Sequence, residues 1–97
     1  MDFRNSQINS LYEAILELRT VEECQNFFED LCTIKELQDM SQRLEAAKRL
    51  YEGENYLSIS SSVGISTATI SRVSRCLNYG NGGYITAIER LKENGKK

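Results

Sequence analysis

One glycine between two short apolar patterns constrains this chain more than any other feature. The segment reads Tyr56-Leu57-Ser58-Ile59-Ser60-Ser61-Ser62-Val63-Gly64-Ile65-Ser66-Thr67-Ala68-Thr69-Ile70-Ser71-Arg72-Val73-Ser74-Arg75. It predicts a short helix over 57–63, with Leu57, Ile59 and Val63 as apolar contacts. Gly64 then takes a sharp turn that favours positive φ, which glycine adopts without a Cβ penalty. Ile65 fills the gap between the two helices. Ser66 caps the second one, its hydroxyl accepting from an N–H of the new first turn. Ile70, Val73 and Leu77 recur at i, i+3 and i+7 and mark the inner face of that helix. Its other face carries Thr67, Ala68, Ser71, Arg72 and Arg75, with no acid among them. An ordinary solvated helix pairs Glu with Lys at i, i+4. Small hydroxyls and arginines instead suit a recognition helix seated in a major groove, the second half of a helix-turn-helix.

Charge is distributed to match. The net charge is only −2, but residues 1–54 hold twelve acids and six basic residues, whereas residues 55–97 hold two acids and six basic residues. Binding to phosphates needs a basic face rather than a basic protein, and the helix-turn-helix lies in the positive part.

The 97 residues, without proline, predict a single all-α domain of six helices. Residues 1–54 form its helical, dimerising part, 55–78 the helix-turn-helix, and 79–97 a glycine-rich loop and last helix. A first helix over about 7–19 carries Ile8, Leu11, Tyr12, Ile15, Leu16 and Leu18, a stripe too wide for one neighbour. Thr20 and Glu23 have capping-box spacing and open a second helix, whose Phe27 and Phe28 are expected to be the largest burial in the chain. Thr33 and Glu36 repeat the box. The long helix that follows shows Ile34, Leu37, Met40, Leu44, Ala47, Leu50 and Tyr51 on one face, pairs Glu45 with Arg49, and stops at Gly53. Asn78 to Gly83 is expected to be an irregular loop, followed by a final helix over 84–93. Three amphipathic helices ahead of a helix-turn-helix have more apolar face than the chain can cover, which predicts a homodimer.

Other classes lack their chemistry. With no histidine, the commonest general base and imidazole ligation are missing. Cys24, Cys32 and Cys76 are too widely spaced for a zinc site or a disulfide framework, so no catalytic residue, metal or cofactor is expected. Gly80-Asn81-Gly82-Gly83 follows a helix rather than a strand and lacks phosphate-loop spacing. No apolar run spans a bilayer and no signal pattern opens the chain, which predicts a cytoplasmic protein without a membrane partner.

Several segments together resemble a known family: Leu31-Cys32-Thr33 with Arg43, Leu50-Tyr51-Glu52-Gly53-Glu54, and Val63 through Arg72. They are similar to the Trp repressor superfamily, in particular its YerC/YecD-type members, over roughly residues 31–92. The resemblance implies an intertwined homodimer that binds double-stranded operator DNA as a transcriptional regulator, most simply a repressor. The helix-turn-helix reading itself assigns DNA contact to Ser66, Thr67, Ala68, Ser71, Arg72 and Arg75. The resemblance also implies an effector pocket at Thr33, Arg43, Thr69, Arg72, Val73 and Cys76, where two arginine planes would hold an aromatic ring and an arginine–threonine pair its carboxylate. Val73 stands where the family's tryptophan binder has glycine, and Cys76 where it has serine. The valine methyls occupy space an indole ring needs, so tryptophan is not the expected ligand, although another small-molecule corepressor stays open. The first reading helix is one residue shorter than in that relative and lacks its phosphate-binding basic residues, which predicts a shallow salt dependence. The competing reading is a helix-turn-helix-derived protein-interaction module that has abandoned DNA.

Overall fold

The computed structural model describes residues 5–96. They form six α-helices: α1 (Ser6–Leu16), α2 (Val21–Leu31), α3 (Ile34–Tyr51), α4 (Tyr56–Ile59), α5 (Thr67–Tyr79) and α6 (Gly83–Glu93), with a π-helical turn, Ser60–Gly64, continuing α4. No strand occurs among the described residues, so the all-α expectation holds. The chain divides into two compact units, one ending at Leu37 and the other beginning at Gln38.

In the first unit, local capping dictates the helix ends. Asn5 caps α1, its Oδ1 accepting from the Ile8 N–H at 2.9 Å. The helix ends at Leu16, three residues before the expected Arg19, because the N–H groups of Glu17 and Leu18 tighten onto the carbonyls of Ala14 and Ile15. Thr20 is already extended as the cap of α2, and its Oγ1 accepts from Glu23 N–H at 3.0 Å. The Glu23 carboxylate reaches back to Arg19 N–H at 2.8 Å, one residue beyond the usual partner. At α3 the box is fully reciprocal: Glu36 N–H donates to Thr33 Oγ1 at 3.1 Å and Thr33 N–H to the Glu36 carboxylate at 2.8 Å.

Packing in this unit departs from expectation. Phe27 and Phe28 meet edge to face at 5.5 Å between centroids, yet both are only half-buried. Neither α1 nor α2 contains a buried residue, and Leu16 and Val21 are 81% and 85% exposed. Ile34, expected on an inner face, is also open. Two eleven-residue helices and one further turn are too little material to enclose their own apolar stripes.

The second unit holds the core. Ala46 and Ala47 of α3, Ile59 of α4, Ile70, Val73 and Leu77 of α5 and Ile88 of α6 are buried, with Leu50, Val63, Ile65, Tyr84 and Ile85 packed around them. The largest fully buried side chains are therefore Ile59, Ile70 and Ile88, not the two phenylalanines. The long helix stops as its sequence dictates. Gly53 sits at φ +91°, and the N–H groups of Gly53 and Glu54 close onto the carbonyls of Leu50 and Arg49, both at 3.0 Å. That is a Schellman motif, and its left-handed residue favours glycine.

Two boundaries also differ. The expected irregular loop over 78–83 shrinks to residues 80–82, because α5 runs on to Tyr79 and Gly80 N–H still donates to the Cys76 carbonyl. The expected helix over 57–63 is α4 plus the π turn, and Leu57 is 77% exposed rather than an apolar contact. Leu57 lies two residues, or about 200° of rotation, from the buried Ile59.

Candidate nucleic-acid interface

The reading head is assembled from serines. Asn55 caps α4, accepting from Ser58 N–H at 2.8 Å. The half-buried Ser60 hydroxyl donates to the Ile65 carbonyl at 2.6 Å and so ties the π turn across the bend. Gly64 makes that bend at φ +83°. Ser66 then caps α5, its Oγ accepting from Thr69 N–H at 3.1 Å and lying 3.0 Å from the Thr69 hydroxyl. Ser60 and Ser66 are thus committed to internal hydrogen bonds that shape the bend, while Ser61 and Ser62 are exposed.

Helix α5 is pinned from beneath by Ile70, Val73 and Leu77 and leaves its other face open. Ser66, Thr67, Ala68, Arg72 and Arg75 are exposed, and Ser71 and Thr69 are half-buried. Among the described residues neither Arg72 nor Arg75 has a carboxylate partner. Two unpaired guanidinium groups on an acid-free helical face are available to phosphate or to guanine edges.

The residues of the implied effector pocket fare differently from one another. The Thr33 hydroxyl is occupied by the α3 capping box, and the residue is exposed. Arg43 and Cys76 are exposed, and the Thr69 hydroxyl is paired with Ser66. Val73 is only 3% exposed and belongs to the core. A groove of about 470 Å³ opens elsewhere, floored by Ile88 and Leu91 between the ends of α3 and α6 and edged by Arg49, Glu52 and Lys92.

Around that groove α3 and α6 are clasped by polar contacts. Tyr51 Oη donates to Glu89 at 2.7 Å, which is the main cause of a phenol pKa above its ordinary value. Lys92 pairs with Glu52 and lies 5.1 Å from the Tyr51 ring centroid. Arg49 Nε donates to Glu45 at 3.1 Å, the contact that does most to raise the guanidinium pKa, and its Nη1 lies 3.3 Å from Glu54. Glu54 Oε2 also accepts from the Ser58 hydroxyl at 2.8 Å. Sequence reasoning paired Glu45 with Arg49 but missed Glu54 and Ser58. Their i, i+4 spacing was the available signal, obscured because it crosses a helix boundary.

The sequence profile of the Trp repressor protein family matches residues 6–92. This chain belongs to that family. It is 53% identical over 90 residues to YerC of Bacillus subtilis (strain 168), covering 93% of this chain and 86% of YerC. Among solved structures, a TrpR-like protein from Eubacterium eligens ATCC 27750 superposes with a TM-score of 0.89 at 50% identity over 92% of each chain. A Trp repressor-type protein from Staphylococcus aureus does so with a TM-score of 0.88 at 46% identity, over 92% of this chain and 89% of that one. The Trp repressor family is one of helix-turn-helix DNA-binding regulators rather than enzymes. No helix among the described residues is long and apolar enough to cross a membrane.

Proposed function

We propose that the protein is a cytoplasmic, homodimeric transcriptional repressor that reads operator DNA by laying α5 in the major groove and needs no tryptophan. The observation that carries this reading is the exposed, acid-free face of α5, with Arg72 and Arg75 unpaired above a buried anchor of Ile70, Val73 and Leu77. Ser66 would meet phosphate at the helix N-terminus, and Thr67, Ala68 and Ser71 would face base edges. Pairing of subunits is supported by the uncovered apolar stripes of α1 and α2, and a dimer would set two reading helices about 34–36 Å apart. The whole chain then acts as one Trp-repressor-like domain, with residues 1–54 joining subunits. Independence from tryptophan is supported by Val73, a buried valine where the resemblance expects the glycine of the family's tryptophan binder.

Selection of duplexes from a random library, followed by gel shift, tests the reading. Arg72→Ala and Arg75→Ala should each weaken the selected duplex by about 1–3 kcal/mol. Two such arginines per subunit give four per dimer, so log K against log salt should slope about −4, at roughly −0.9 per neutralised phosphate. Both variants binding as tightly as the parent, or a slope of about −8 to −10, would overturn it. Failure to enrich any duplex at low salt would point instead to a protein-interaction module without DNA.

A further inference from the structure

The reading head joins the long helix through four residues, Glu52-Gly53-Glu54-Asn55, and Gly53 lies in the left-handed region. Apolar contacts of Ile59, Ile70, Val73 and Leu77 hold the head to the rest of its unit, but the hydrophobic term that drives them is itself non-directional. Beside the backbone bonds that close the end of α3 and the Asn55 cap of α4, the side-chain to side-chain bonds at this junction converge on one carboxylate. Glu54 accepts from the Ser58 hydroxyl on α4 at 2.8 Å and from Arg49 on α3, 3.3 Å away, while Arg49 is held in turn by Glu45 at 3.1 Å. Arg49 and Glu54 are both half-buried, so salt screens them less than a surface pair.

We infer that Glu54 is a positioning residue that locks the helix-turn-helix to α3 and thereby sets which separation of operator half-sites the dimer accepts. The inference rests on the DNA-binding, dimeric reading above. A head that has lost its side-chain tie to α3 can adjust further to half-sites moved along the duplex than one that keeps it. Each added base pair turns the second half-site by about 34–36° as well as shifting it. Since the bridge is only half-buried, its loss should change geometry more than stability.

The test uses the full-length protein and the half-site enriched by the parent protein, arranged as inverted repeats with the spacer lengthened or shortened by up to about two base pairs, a rotation of about 70°. The parent should favour one spacing about tenfold or more over those two base pairs away. Glu54→Ala and Ser58→Ala should flatten that preference to about threefold or less, with a single half-site bound as tightly as before. Glu54→Gln, which keeps an acceptor for Ser58, should fall between. A parent-like spacing preference in both alanine variants would overturn the inference while leaving DNA binding intact, as would a loss equal on single and paired half-sites. A parent that enriches no duplex removes the DNA reading first, and this inference with it.

Discussion

Replacing Gly64 by alanine isolates backbone strain from steric collision. Gly64 sits at φ +83°, and a Cβ built there meets no heavy atom within 4 Å. The cost is therefore conformational alone, about 1–2 kcal/mol for an L-residue held in the left-handed region. Against it stands about 0.4–1 kcal/mol gained because alanine narrows the unfolded ensemble. The balance is a loss near 1 kcal/mol, or roughly 4–8 °C in the midpoint of a domain this size. Gly83 is the internal control. It too has open space around a built Cβ, but its φ lies outside the left-handed range and it begins α6. Gly83→Ala should leave the midpoint unchanged or raise it, because glycine is the poorer helix former. Thermal unfolding followed by far-UV circular dichroism, at one fixed protomer concentration, measures both. Equal losses at the two positions, or no loss at Gly64, would refute the assignment of strain to the bend.

Two further outcomes follow from single hydrogen bonds. Ser66→Ala removes the cap of α5 and should cost about 1 kcal/mol, read in the same unfolding assay, whereas Ser66→Asp should retain the cap. Tyr51, with its pKa raised by the bond to Glu89, contributes stability that is complete below the ordinary tyrosine value and lost as pH rises through the folded value. Denaturant midpoints should therefore fall above about pH 10, and Tyr51→Phe should flatten that alkaline limb. An equally steep limb in the phenylalanine variant would show that another group is responsible.

What was legible beforehand was local. The capping boxes at Thr20 and Thr33, the stop at Gly53, the bend at Gly64 and the cap at Ser66 each depend on residues within about one turn of one another, and all are present save that Glu23 closes the first box on Arg19 N–H. The inner face of α5 was equally plain, because three apolar residues at helical spacing admit one phase. The π turn was not, since the short segment after Ile59 has too few apolar positions to separate an i+4 ring from an i+5 ring. The exposure of α1 and α2 was foreshadowed by stripes too wide for one neighbour, but a stripe states only that something must cover it. Glu54 went unnoticed because its partners, Arg49 and Ser58, converge on it only after the chain has turned at Gly53.

The choice of serine at the bend and at the cap has a thermodynamic consequence for association. A serine hydroxyl is placed by one torsion, so Ser60 and Ser66 surrender little rotational freedom when they close their bonds. Long cationic side chains forfeit up to about 1.5–2 kcal/mol each on being immobilised. Under the proposed DNA reading that penalty falls on Arg72 and Arg75, which are exposed. On that reading the capped bend adds little to the entropy of capture, which falls on two guanidinium arms.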